Sequence, residues 1–224
     1  MKMILVTRPE PQNSETCKRL SDKGFVPIAW PVIAIGAVST QDLPALDQPV
    51  DVIIFTSAHA VFQAYFNWQR FCHDKTSVLA VGPQTAKALA QKDVDNVLVP
   101  KVYHSEGLLA MPELEAVAGK TVLLMTGVGG RGLLDEVLVS RGAHFIRFNV
   151  YRRIQINEPI GADVLSRADA IQITSCDCLD ALLANTSEDL KPALYQKTLL
   201  VKSERIYQYC LTKSFKDDLI QLDV

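Results

Sequence analysis

The chain has 224 residues, 48% of them hydrophobic and 21% charged, with 23 Lys and Arg against 25 Asp and Glu for a formal charge of -2. That balance belongs to a globular protein with one substantial core or two small ones, and it excludes disorder, collagen and long coiled coil. A near-neutral chain with no block of like charges also argues against nucleic acid as partner, because phosphate binders carry a basic excess or stripe.

Reading from the amino terminus, Met3–Val6 is too short an apolar run for a signal peptide, and no segment approaches the ~20 apolar residues of a membrane span. A cytoplasmic protein with no membrane partner is expected. The five cysteines (Cys17, Cys72, Cys176, Cys178, Cys210) contain no C-x-x-C pair, and the four histidines (His59, His73, His104, His144) do not cluster. Reduced thiols and no metal site follow.

Short runs rich in Val, Ile and Leu are predicted as strands at Met3–Val6, Val26–Ala29, Val52–Phe55, Val78–Val81, Val97–Val99, Val122–Met125, Ile146–Val150, Ala170–Ile173, Thr198–Val201 and Ile220–Leu222. Amphipathic stretches alternate with them. This is the pattern of βα units around a parallel sheet covered on both faces, hence an α/β fold.

The chain also matches itself. Lys2-Met-Ile-Leu-Val-Thr7 faces Lys120-Thr-Val-Leu-Leu-Met125, Gly24 faces Gly142, and Asp51-Val-Ile-Ile-Phe-Thr-Ser57 faces Asp169-Ala-Ile-Gln-Ile-Thr-Ser175, all at an offset of 118. Val78-Leu-Ala-Val81 faces Thr198-Leu-Leu-Val201 at 120. Blocks repeated in the same order are the mark of a duplication, so two copies of one βα module are expected. The second copy should be a helix short, since Val97–Val99 is followed by a predicted helix over 105–117 whereas its counterpart Ile220–Leu222 is followed only by two residues. Two extended segments, about 31–38 and 149–156, follow the same repeat element in each copy. They are expected to run side by side as a two-stranded β tether joining two similar lobes. Ligands of open α/β sheets bind beyond the carboxyl ends of the strands, which directs attention to a cleft between such lobes.

The residues after each strand carry the chemistry, because free N–H groups and the helix dipole attract anions there. They are Thr7-Arg8-Pro9, with Pro9 suited to a first turn, Thr56-Ser57 before a helix near Ala58, Gly82-Pro-Gln-Thr85, Ser105-Glu-Gly107, Gly127-Val-Gly-Gly-Arg131, Thr174-Ser175 and Ser203-Glu-Arg205. Each alone is most simply a helix cap. Together, in a duplicated fold, they suggest an anion site. Gly127-Val-Gly-Gly-Arg-Gly132 also fits G-x-G-x-x-G between a strand and a helix, so an NADP-dependent reductase has to be weighed. Against it, the chain offers Tyr151-Arg152-Arg153 where a dinucleotide fold places an acid, and the repeat partner Thr7-Arg8-Pro9 has no glycine. No nucleophile motif stands out. Glu106, Asp177 and Glu204 read as first-turn acids favoured by the dipole. Tyr151, on the second tether segment, is a phenol that could face the ligand.

In this order, Ile4-Leu-Val-Thr-Arg-Pro9, Phe55-Thr-Ser57 with Ala60-Val61, Val81-Gly-Pro-Gln-Thr-Ala86, Ser105-Glu-Gly-Leu-Leu109, Gly127-Val-Gly-Gly-Arg131, Val150-Tyr-Arg-Arg153 and Ile173-Thr-Ser175 resemble the uroporphyrinogen-III synthase family over nearly the whole chain. The resemblance implies a hydro-lyase of tetrapyrrole (haem) biosynthesis that acts as a monomer with no cofactor and no metal. Such an enzyme takes hydroxymethylbilane, a linear polycarboxylate, removes water and closes it to uroporphyrinogen III with the last pyrrole ring inverted.

The family fold implies a first lobe of residues 1–35 plus 154–224 and a second of 36–153, joined by the tether, with the active site in the cleft between them. Tyr151 matches the family's tyrosine and is expected to assist the leaving hydroxyl as a weak acid. Thr7, Arg8, Ser57, Gly82, Thr85, Ser105, Gly129, Gly130, Arg131, Thr174, Ser175, Ser203 and Arg205 are expected to hold substrate carboxylates. Two departures stand out: Thr126 sits where many relatives have arginine, and Lys202-Ser-Glu-Arg205 replaces a Gly-Pro-x-Thr segment. The rival class is a two-lobed binding or regulatory protein without turnover.

Overall fold

Strands form where the apolar runs are continuous, and the computed structural model, which describes residues 1–38, 49–64, 68–130 and 132–222, sorts them into two sheets. By contacts the chain divides into two compact units, Met1–Ile35 with Ile154–Val224, and Gly36–Arg153. Its α-helices, in chain order among the described residues, are α1 (Gln12–Asp22), α2 (Ala58–Gln63), α3 (Pro83–Ala90), α4 (Ser105–Leu109), α5 (Pro112–Glu115), α6 (Leu133–Ser140), α7 (Ala162–Arg167), α8 (Cys176–Ala184), α9 (Lys191–Leu194) and α10 (Glu204–Thr212).

The first sheet is built from β1 (Met3–Val6), β2 (Val26–Ala29), β8 (Ala170–Ile173), β9 (Thr198–Val201) and β10 (Ile220–Leu222). Their order is β10-β9-β8-β1-β2, with every neighbouring pair parallel. Parallel strands need crossovers, and α1, α8 and α10 supply them. Leu5, Ile171, Ile173, Leu199 and Val201 lie in the core with Leu179, Leu182, Leu194 and Ile206 from the helices. Each such side chain contributes about 1.5–3 kcal/mol of burial, which is why the strands are predominantly apolar, although buried Gln172 interrupts β8.

The second sheet is built from β3 (Ile33–Ala37), β4 (Val52–Phe55), β5 (Ser77–Ala80), β6 (Thr121–Gly127) and β7 (His144–Gln155), in the order β3-β7-β6-β4-β5. Here β4 pairs in parallel with β5 and β6, and β6 with β7. Val52, Ile53, Ile54 and Phe55 of central β4 are all at most 2% exposed. The edge strand β3 runs antiparallel to β7: Val38 N–H donates to the Val150 carbonyl and Ile156 N–H to the Val32 carbonyl.

The strand expected at Ile146–Val150 and the extended segment that overlaps it from 149 form one strand, β7, which ends at Gln155. Three expectations from the sequence differ in the structure. Val97–Val99 forms only an isolated bridge, Leu79 to Leu98. The helix expected over 105–117 is two short ones, α4 and α5. Pro112 lacks the N–H a continuing helix needs and holds Met111 extended at ψ 141. Finally, Pro9 is not in a first helical turn, because α1 begins at Gln12. The buried Asn13 amide donates to the carbonyls of Val6 and Arg8, which stabilises a turn over the intervening residues instead of helix.

Candidate active site

The second unit gathers its chemistry where β4 and β6 end. β6 runs to Gly127, and the chain then turns through Gly129 and Gly130 at φ +81 and +96, a left-handed backbone that glycine adopts without steric cost, before α6. On the neighbouring strand the register shifts: Thr126 pairs with Asn149 but Gly127 pairs with Tyr151. Val150 is the extra residue of a bulge, and without the shift Val150 would stand opposite Gly127. Bulges re-aim side chains beside sites, and this one brings the Tyr151 ring over Gly127. A Cβ at Gly127 would lie 2.6 Å from the ring's Cζ, so the first glycine of the Gly-rich turn makes room for the ring.

Tyr151 is only 3% exposed. Its oxygen accepts a hydrogen bond from the Ser57 hydroxyl at 3.1 Å, and Ser57 Oγ accepts the Ala60 N–H at 3.1 Å as N-cap of α2. The chain of contacts runs from backbone to serine to phenol, so the start of α2 fixes the position of the Tyr151 hydroxyl. The His59 ring is tilted at 5.7 Å from that of Tyr151, and the Arg153 guanidinium lies 5.9 Å from the Tyr151 ring centre. Next to Ser57, the Thr56 hydroxyl donates to Thr126 Oγ1 at 2.8 Å, joining the ends of β4 and β6.

A cavity of about 190 Å³ opens at these residues, lined by Tyr151, Ser57, Ser105, Gly129 and Gly130 from the expected set, and by Thr56, Thr126, Gly127, Arg147, Arg153, Leu124 and Leu134. Arg147 and Arg153 are not among the binding residues expected from the sequence. The signal for Arg147 is a period of two: Arg147 and Asn149 alternate with the buried Phe148 and Val150 along β7. Asp135, in the first turn of α6, holds Arg147 in a two-pronged ion pair and is legible in the sequence only as a helix-start acid.

The other expected residues divide. Gly82 is the N-cap of α3, closely packed on Tyr103, while Thr85 in the first turn of that helix is buried at 4% exposure. Neither lines the cavity. Arg131 lies outside the described residues. Within the first unit, Ser175 caps α8 by accepting the Cys178 N–H, and Ser203 caps α10 by accepting the Ile206 N–H. Since Ile173 pairs with Val201, Thr174-Ser175 and Lys202-Ser203 leave adjacent strand ends, and Arg205 is exposed in the first turn of α10. Thr7 departs from the expectation of a ligand contact: it is fully buried and its hydroxyl donates to the Gln172 carbonyl, tying β1 to β8. Arg8 donates through Nη1 to Thr16 Oγ1, and burial pushes its guanidinium below the usual arginine range. Among the described residues no group of His, Cys, Asp and Glu could hold a metal, and no helix is long and apolar enough to cross a membrane.

Comparison with known proteins matches residues 14–221 to the family model described as uroporphyrinogen-III synthase HemD. The chain is 32% identical to the uroporphyrinogen-III synthase of Escherichia coli, covering 96% of this chain and 92% of that protein, and 26% identical to that of Chlorobaculum parvum, covering 89% and 82%. Among solved structures it is similar to a mutant uroporphyrinogen III synthase from Thermus thermophilus, with TM-score 0.64, 20% identity and coverage of 99% and 92%. It is also similar to uroporphyrinogen-III synthetase from Helicobacter pylori, with TM-score 0.59, 16% identity and coverage of 98% and 92%. These two structures support the fold.

Proposed function

This chain belongs to the uroporphyrinogen-III synthase family, and we propose on that premise that it closes hydroxymethylbilane, with loss of water and inversion of the last ring, to uroporphyrinogen III. The observation that carries the reading to residues is the Tyr151 phenol, which is held by Ser57 and lines a cavity.

Tyr151 gives its proton to the substrate's terminal hydroxyl as the C–O bond breaks, leaving a phenolate, water and an electrophilic azafulvenium cation. The substituted carbon of the last ring attacks this centre to form a spiro intermediate, and rearrangement then completes the macrocycle. The proton lost when the last pyrrole regains its aromaticity returns to the phenolate, so the enzyme ends as it began. Because the azafulvenium cation is reactive unaided, the protein's main task is to hold the chain so that the substituted carbon is the near one.

In the Tyr151 cavity of the second unit, Ser57, Ser105, Gly129 and Gly130 hold carboxylate; in the first unit, taken by itself, Arg8, Thr174, Ser175, Ser203 and Arg205 after the strand ends are the anion-binding residues. Backbone N–H groups at the starts of α8 and α10 add to them. The units are two copies of one module, a reading supported by their strand orders: β2-β1-β8-β9-β10 in one matches β7-β6-β4-β5 and the Leu98 bridge in the other. In this reading β3 and β7 are the tether strands, and the enzyme works as a cytoplasmic monomer without cofactor.

Incubating purified protein with fresh hydroxymethylbilane, oxidising the products and separating the isomers tests the proposal. Type III product is expected. Type I alone, at the rate seen without protein, would overturn it.

A further inference from the structure

We propose that Arg147, aligned by Asp135, is a carboxylate-binding residue of the Tyr151 cavity. The inference rests on the synthase reading for the identity of the ligand, and on the cavity's geometry for the chemistry.

Arg147 stands on β7 four residues before Tyr151, beside Leu124 of β6, and both Arg147 and Leu124 line the cavity. Its Nε donates to Asp135 Oδ1 at 2.7 Å and its Nη2 to Oδ2 at 2.6 Å. That fork occupies one edge of the guanidinium and fixes its plane, leaving the Nη1 hydrogens for a second partner. The side chains of Arg147 and Asp135 are 24% and 30% exposed, so the arginine is partly desolvated while still open to a ligand. Asp135 is itself steadied by the first turn of α6, where the helix dipole favours a carboxylate. Each partner strengthens the other's charge: the hydrogen bond from Arg147 holds the Asp135 carboxyl below its usual range, and Asp135 raises the arginine.

A purely structural tie between α6 and β7 has little need of this pair, since partly exposed ion pairs contribute little and apolar residues pack equally well. Placing an oriented guanidinium in a cavity with a proton-donating phenol has a chemical use. Because Asp135 offsets the charge of Arg147, the pair attracts an anion by direction more than by net charge. It therefore selects a planar carboxylate at a set angle, and Asp135 is a positioning residue.

The test measures steady-state turnover of hydroxymethylbilane and, separately, binding of uroporphyrin III, a stable cyclic polycarboxylate, by its fluorescence. Arg147→Gln is expected to raise KM and the uroporphyrin Kd about tenfold, the loss of one charge-assisted hydrogen bond, while kcat changes less than about threefold. Asp135→Asn, which keeps the cation but frees its plane, should raise both about threefold. The double variant Asp135→Asn/Arg147→Gln buries no lone charge and should bind as weakly as Arg147→Gln. A double variant that regains wild-type KM and Kd would show a structural pair only and overturn the proposal. So would Arg147→Gln with both constants within twofold of wild type. If the wild type makes no type III product yet uroporphyrin binding still falls on Arg147→Gln, the synthase reading fails and the carboxylate site stands.

Discussion

Replacing Gly127 by alanine perturbs the candidate site through a single methyl group. Gly127 is not in the left-handed region, so the backbone accepts alanine without strain and the whole effect falls on what the new Cβ meets. It meets the Tyr151 ring, with Cζ at 2.6 Å, Cε2 at 2.8 Å and Cε1 at 3.0 Å. Ordinary carbon contacts are about 3.5–4.0 Å, so the ring has to move by roughly 1 Å. Tyr151 is 3% exposed and bonded to Ser57 at 3.1 Å, so the movement strains its packing and breaks that bond. Overpacking of this kind costs about 1–3 kcal/mol, and misplacing a reacting group by about 1 Å costs on the order of a hundredfold in rate. Urea unfolding should show the stability loss, and turnover of hydroxymethylbilane with isomer analysis should show a rate loss far larger than the fraction unfolded explains. Full rate and full isomer selectivity in Gly127→Ala would refute the assignment of Tyr151 as the proton donor placed by this contact.

Three further outcomes are expected. Tyr151→Phe keeps the ring over Gly127 but removes the donor, so the rate should fall by about a hundredfold or more with little change in melting temperature; unchanged rate and isomer ratio would count against the phenol. Ser175→Ala removes the α8 cap and should cost about 1 kcal/mol in urea unfolding, whereas no measurable loss would mean that the bond to Cys178 N–H contributes nothing. Asp135 has its carboxyl lowered by Arg147, so its stabilising contribution is complete above about pH 4 and fades as pH falls through the lowered value. Unfolding measured from about pH 7 down to about pH 2 should thus show wild type and Asp135→Asn converging in acid, and a constant difference at all pH values would refute the pairing.

The α/β class and most strands are legible in the sequence because a buried parallel strand is predominantly apolar, even where a polar residue such as Gln172 lies within it. Met3–Val6, Val26–Ala29, Val52–Phe55, Ala170–Ile173, Thr198–Val201 and Ile220–Leu222 are strands with the bounds that their composition marks. Helix starts at Ser57, Ser175 and Ser203 are legible for a local reason too, since a capping side chain reaches only the next few backbone N–H groups, and the start at Gly82 is legible from Pro83 at the first helical position. α4 begins at Ser105, where the Ser105-Glu-Gly107 motif places a helix start, and its N-cap is His104, whose Nδ1 accepts the Gly107 N–H.

Composition and periodicity thus determined by themselves the α/β class, the bounds of most strands and the strand-end positions at which polar residues collect, because each depends on neighbours close in sequence. Only the tertiary structure decided that a bulge at Val150 sets Tyr151 against Gly127, that Ser57 reaches the phenol across 94 residues of chain, and that Asp135 aligns Arg147. It also decided that Thr7 ties two strands together from inside. A hydrogen bond or a ring contact depends on separations of a few ångströms between residues far apart in the chain, and no periodicity records those.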